Sequence, residues 1–201
     1  MNILKYGYFG EDEAHRIFLE KYLEQLVKYL NLENELIFDF DLEFTYRFKA
    51  RNKSDVDKLF AEAVQQGFIS YQQDIFFVGR DLDTFLSSEF VEKSSSMNKQ
   101  LGDKFRDKTF LMIPVQCIEH WLWYLKTKAE NPTSTKNVSL ESKPNKEAKI
   151  ALYGSAKVSN NHSIPIVQEL TNVIDIPHLE SCSISFNAFH KQVIKFITNL
   201  S

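Results

Sequence analysis

Two aspartates one residue apart, Asp81 and Asp83, close the stretch IFFVGRDLDTF directly after a run of apolar side chains. On extended chain, residues i and i+2 point the same way, so both carboxylates are expected to face one point. Held that close, two carboxylates repel and one is driven towards protonation. A divalent cation removes the conflict, and hard oxygen ligands suit Mg²⁺ or Mn²⁺. Asp is also common in turns, so a pair of solvated turn residues is the plain alternative.

Two further acidic positions carry possible chemistry. Glu11, Asp12 and Glu13 follow Gly10 at the end of the first apolar segment. A carboxylate there can complete a metal shell, or act as general acid or base on a phosphodiester. Acids at a helix start also favour the helix dipole with no catalysis implied. Glu119, in IPVQCIEHWLWYLK, lies among Ile118, Trp121, Leu122 and Leu125. A carboxylate beside such bulk needs a partner or a proton. His120 has no second histidine at i+4 and is not read as a metal ligand. Arg80, between strand and acids, is a candidate for holding a phosphate oxygen, or else a salt-bridge partner. Lys149 and Lys157 are secondary phosphate candidates.

These acids need a scaffold that gathers strand ends. Residues 2–9 (NILKYGYF) are short, apolar and aromatic, which predicts a buried strand broken by Gly10. EDEAHRIFLEKYLEQLVKYL then places Ile17, Leu19, Leu23, Leu26, Val27 and Leu30 at helical spacing. Residues 36–48 (LIFDFDLEFTYRF) alternate, with Phe38, Phe40, Leu42 and Phe44 on one face, and predict a half-exposed strand near an edge. SDVDKLFAEAVQQG predicts a short helix with Ser54 or Asp55 as N-cap and Gly67 as its stop. IFFVG and TFLMIPV read as the third and fourth strands. A loop and helix lie between them, and a helix over CIEHWLWYLKTKA follows. Strands alternating with helices predict an α/β fold with a largely parallel sheet. Ligands of such sheets bind outside the carboxyl ends of the strands, where all three acidic positions fall.

Residues 130–149 are polar, hold two prolines, and read as a mobile loop. The tail resumes order, with PIVQELTNVI and FNAFHKQVIKFITNL as helices capping the sheet. The expected organisation is one domain: a core over 1–129, the loop over 130–149, and a C-terminal extension over 150–201.

The 201 residues suffice for one sizeable core. A net charge of −3 gives no global basic footprint, so nucleic-acid binding would need a local patch or a metal ion. Cys117 and Cys182 are far apart, which argues against a disulfide scaffold or zinc knuckle. The start MNILKYGYFGEDE has no signal-peptide pattern, and no stretch approaches the roughly 20 apolar residues of a membrane helix, so a cytoplasmic protein with no membrane partner is expected.

Taken in order, a first strand with GxxE (Gly10, Glu13), a strand ending in DxD (Asp81, Asp83), and a strand followed by Cys117, Glu119 and Trp121-Leu122 together resemble the Toprim fold. The chain looks most like the small stand-alone Toprim-like proteins of bacterial mobile-element and phage-defence loci, including RloB-type and OLD-type nucleases. Its tail, KIALYGSAKVS to SCSISFNAFHKQVI, is similar to that of one such family, in which Leu-Tyr-Gly precedes a Ser-x-Ser-Phe helix start. The resemblance implies a Rossmannoid core of about four parallel strands flanked by helices, with a helical C-terminal extension. It implies Mg²⁺ or Mn²⁺ held by Asp81, Asp83, Glu13 and Glu119, and cleavage of DNA or RNA backbones. One departure stands out: the family usually has Glu where this chain has Phe9. Either Glu11 or Glu13 takes over, or the chain is a degenerate, non-catalytic module. A separate ATPase partner fits the absence of a GxxxxGK[ST] motif, and self-association stays open. A phosphotransferase using the same DxD is the third reading; it lacks a glycine-rich phosphate cradle after the first strand.

Overall fold

The computed structural model of the chain describes residues 1–133 and 139–200. Four parallel strands, β1 (Asn2–Gly10), β2 (Leu36–Phe40), β3 (Ile75–Gly79) and β4 (Thr109–Met112), form one sheet in the order β2–β1–β3–β4. β3, the run IFFVG, is buried along its whole length, as expected of a central parallel strand covered on both faces. Its alternate residues feed two cores. Ile75 and Phe77 pack with Tyr6, Tyr8, Phe110 and Met112 on one face; Phe76 and Val78 pack with Phe9 and Leu111 on the other.

The helices divide in the same way. The first face carries α1 (Glu13–Tyr29), α6 (Ile118–Glu130) and α10 (Ile184–Thr198), through Phe18, Tyr22, Trp121, Phe186 and Phe189. The second carries α3 (Lys53–Ser70), α4 (Ser87–Gln100) and the short α5 (Asp103–Arg106), through Val56, Phe60, Val64, Met97 and Phe105. The chain leaves β1 towards β2, then crosses back over to β3. The strand order therefore reverses between β1 and β3, whose ends Gly10 and Gly79 lie in register. The crevice at such a reversal is where doubly wound sheets place ligands.

Local chemistry departs from the sequence pattern in three places. The strand expected over 36–48 stops at Phe40, and α2 (Leu42–Arg47) follows. Asp41, 5% exposed, is the cause. Its side chain caps α2 through Phe44 N–H at 3.0 Å, accepts from Gln73 Nε2 at 3.1 Å, and pairs with Lys5 Nζ at 2.9 Å. That fixed, buried carboxylate overrides the alternation. Next, α3 starts from the Asn52 cap rather than Ser54 or Asp55, and runs through Gly67. A Cβ at Gly67 would lie 2.3 Å from Gln73 Oε1 and 2.6 Å from the Phe76 ring, so this glycine serves close helix–sheet packing rather than helix termination.

Finally, the segment 130–149, read as a mobile loop, is tied to the core through Leu140, Glu141 and Ala148, on the C-terminal side of residues 134–138, which lie outside the described residues. α6 continues to Glu130, Leu140–Ser142 form a 3₁₀ turn, and α7 (Asn145–Tyr153) begins within the expected loop. Glu141, 5% exposed, accepts from Ser185 Oγ at 2.5 Å, Ser183 Oγ at 2.6 Å and Ile184 N–H at 3.1 Å, so it anchors the start of α10. The Ser-x-Ser-Phe stretch of the tail is this anchor's other half, since Ser185 Oγ also accepts from the buried Trp121 Nε1 at 2.9 Å. α8 (Asn160–Thr171) and α9 (Ile176–Cys182) complete the extension, which shares its apolar core with α1 and α6. Among the described residues, no helix is long and apolar enough to cross a membrane.

Candidate metal centre

The rim of the sheet at the carboxyl ends of β1 and β3 is built around Tyr8. Its hydroxyl occupies the space beside both strand-end glycines: a Cβ at Gly10 would sit 1.9 Å from it, and one at Gly79 2.5 Å from it. With that hydroxyl in place, the chain leaving β1 turns at Glu11 and enters α1 through Asp12. Asp12 Oδ1 accepts His15 N–H at 3.0 Å as a helix cap, and His15 Nδ1 at 2.8 Å. The same carboxylate oxygen thus starts the helix and turns the His15 ring inward, where it is fully buried.

Asp81 comes from the other side of the crevice. Its backbone N–H donates to Glu11 Oε1 at 2.6 Å, and its Oδ1 accepts Ile118 N–H at 2.9 Å, the first amide of α6. Oδ1 also lies 3.1 Å from His15 Nε2. One carboxylate therefore links the ends of β1 and β3 to the helix after β4. Two trios of donor atoms, each within 4.8 Å of one another, share it: Glu11–His15–Asp81 and Asp81–Cys117–Glu119. Either can hold a metal ion. The buried donors fit one: His15 Nε2 is shielded from solvent yet makes no aligned hydrogen bond, although it lies close to Asp81.

The electrostatics are tightly drawn. Burial pushes the Asp81 carboxyl up to about 7, against the opposing pull of His15. Burial also raises Glu11, opposed by the amide it accepts from Asp81. Burial alone would lower His15, but Asp12 and Asp81 outweigh it and hold the imidazole well above its usual range. Desolvation works against ionised Asp12, yet the contacts with His15 bring it down to about 2. Without a metal, His15 is the counter-charge of the rim. Cys117 is pushed well above the thiol range by burial, then by Glu119.

Of the residues singled out by sequence, Asp81, Glu11 and Glu119 meet at this rim. Glu119 is 7% exposed, with Lys149 Nζ 3.7 Å away. Glu13 and Asp83 are held elsewhere. Glu13 pairs with Arg16 on the surface of α1. Asp83 pairs with Lys53 and accepts from Asn145 Nδ2 at 3.0 Å. The i, i+2 argument fails because β3 pairing ends at Gly79 and Asp83 adopts φ 61°, the left-handed region, which turns its side chain away. Gln116, facing it at φ 65°, binds the same turn through Asp83 N–H to Gln116 O at 2.8 Å. Arg80 is the salt-bridge partner of its alternative reading: 5% exposed, it grips Asp57 at 2.6 and 3.1 Å and donates to Asp81 O at 2.7 Å. Phe9 is core, 3% exposed on the α3 face, so its position cannot offer a ligand to the rim.

His15 and Cys117 were not singled out by sequence as donors. The available signal was a histidine one helical turn after Glu11 and three residues after a capping Asp. Beside the rim lies a cavity of about 380 Å³, walled by Asp12, Glu13 and Glu119 from the core and by Lys149, Tyr153 and Lys157 from the extension. No protein-family model, curated protein or solved structure matches the chain.

Proposed function

We propose that the protein is a metal-dependent phosphodiesterase of Toprim type, a nuclease acting on DNA or RNA in defence against phage or mobile elements. The observation that carries this reading is Asp81, a rim carboxylate shared by two donor trios at the point where the strand order reverses. A bound Mg²⁺ or Mn²⁺ would polarise a phosphate oxygen and lower the pKa of water. Asp81 would supply an oxygen ligand in either trio, joined by Glu11 in one and Glu119 in the other. Lys149 and Lys157, which line the opposite cavity wall, would neutralise the phosphate. Glu13, on the wall of Asp12 and Glu119, would take the proton of the attacking water once released from its pairing with Arg16. Water would add to phosphorus as the bond to the leaving oxygen breaks, and a solvent water would protonate the departing oxygen.

Purified protein with Mg²⁺ or Mn²⁺ is expected to nick DNA or RNA, and Asp81→Ala to abolish nicking without unfolding the chain. Cleavage that survives in Asp81→Ala would remove the assignment.

A second reading, a catalytically degenerate module acting with a separate ATPase, is favoured by one feature. His15 sits between Asp12 and Asp81 and can neutralise the rim in place of a cation. No heat of Mn²⁺ binding in calorimetry, together with a stable ATPase complex in pull-downs, would favour it.

A further inference from the structure

The ligand set implied by the Toprim resemblance is all oxygen. The rim instead brings a nitrogen into contact with it. We infer that the principal metal site is the mixed set Glu11, His15 and Asp81, with His15 Nε2 as a direct ligand, and that it takes a first-row transition ion in preference to Mg²⁺. The inference rests on the metal-dependent reading only in requiring an ion at the rim; it does not require nuclease activity.

Three observations carry it. First, His15 Nε2 is buried, lacks an aligned hydrogen bond, and faces two carboxylates of the trio. Its close neighbour Asp81 Oδ1 is itself a member of the trio, so an ion entering there binds both atoms and leaves neither buried group unpaired. Second, its 3.1 Å separation from Asp81 Oδ1 is the spacing of two adjacent ligands on one ion. Bond lengths of about 2.1 Å set at right angles give about 3.0 Å. Third, the orientation of the ring is already fixed from outside. Asp12 Oδ1 lies 2.8 Å from Nδ1, so Nδ1 keeps its proton towards Asp12, and an ion at the rim would take the place of the Nε2 proton that otherwise faces Asp81. Histidines that bind metals are commonly held by a carboxylate in this manner. Glu11 is likewise positioned, through the Asp81 amide at 2.6 Å.

The donor set decides the ion. Mg²⁺ is reluctant to exchange water for nitrogen and favours carboxylate and phosphate oxygens. Imidazole nitrogen suits first-row transition ions, whose affinities rise from Mn²⁺ towards Zn²⁺ and Cu²⁺. Mn²⁺, the weakest of that series, is the strictest probe and is visible by electron paramagnetic resonance.

The test uses the full chain loaded with one equivalent of Mn²⁺. Pulsed electron paramagnetic resonance is expected to show the ¹⁴N coupling of a directly bound imidazole. That coupling should persist in the control His178→Gln and vanish in His15→Gln, with Mn²⁺ affinity lower by about tenfold or more. Displacing Mn²⁺ should require at least about a tenfold excess of Mg²⁺. Bound Mn²⁺ without nitrogen coupling, coupling that survives His15→Gln, or displacement by equimolar Mg²⁺ would each overturn the inference, as would no binding at all. If His15→Gln fails to fold, the wild-type spectrum and the Mg²⁺ competition still decide. Nitrogen coupling in a protein that cleaves nothing would keep this site and remove the nuclease. Asp81-dependent cleavage with no nitrogen coupling would do the reverse.

Discussion

His15 Nε2 lies 3.1 Å from Asp81 Oδ1, bringing the helix after β1 into contact with the turn after β3. The contact joins two segments 66 residues apart at the reversal of strand order. It couples the charge of the rim to the stability of the fold, and that coupling has a definite sign.

Asp81 and His15 both have raised pKa values in the folded protein. A raised group contributes stability below its unfolded value, and that stability is lost as pH rises through the folded value. For Asp81 the loss runs from the ordinary carboxyl value of 3.8 and is complete by about 7; for His15 it begins at the ordinary histidine value of 6.5 and continues above it. Metal-free protein should therefore lose stability as pH rises through 7 and beyond, as read from urea midpoints taken in the presence of a chelator. A metal ion needs these groups deprotonated, so the rise in melting temperature on adding Mn²⁺ should grow over the same interval. A metal-free midpoint that is flat across neutrality would contradict this assignment of charge.

The two aspartates of the DxD pair should behave differently. Asp81→Ala removes the atom shared by both trios and should abolish metal-dependent activity. Asp83→Asn suits the left-handed backbone and keeps the hydrogen bond with Asn145, so activity should fall less than about threefold. Asp83→Val should cost about 1–2 kcal/mol in a chemical denaturation, because a β-branched side chain resists φ 61°.

Gly79 and Tyr8 form a steric pair. Gly79→Ala places a methyl group 2.5 Å from the Tyr8 hydroxyl and should cost about 1–3 kcal/mol. Tyr8→Phe removes the obstructing oxygen, so the double variant should recover part of that loss. Strict additivity in the cycle would refute the contact.

The C-terminal extension is latched by one carboxylate. Glu141→Ala leaves Ser183, Ser185 and the Ile184 amide without their acceptor and should destabilise the chain by about 3 kcal/mol in urea. A change below about 0.5 kcal/mol would mean that α10 docks through its apolar face alone.

The architecture was legible because its signals are local. The apolar runs NILKYGYF and IFFVG, and the periodic helix after Gly10, gave strand and helix types and a parallel sheet with acids at its rim. The alternation over 36–48 misled, because a single buried contact set around Asp41 outweighs a pattern over several residues. The reading of 130–149 missed an anchor formed with residues more than 40 positions away, which composition cannot encode. At the site, Asp81, Glu11 and Glu119 were found by strand-end logic. Asp83 was misplaced because extended geometry was carried past Gly79, the last residue of the strand, to a position four residues beyond it. His15 was missed because its role depends on the fold bringing Asp12 and Asp81 to its two nitrogens.

The central claim is that carboxylates from separate segments gather one cation at the β1–β3 crevice. Anomalous difference density from crystals grown with Mn²⁺ tests it most directly. The account predicts a peak within about 2.3 Å of Asp81 Oδ1 and flanked by Glu11 and His15. A map with no peak at this rim, and His15 still closed between Asp12 and Asp81 at high Mn²⁺, would contradict it.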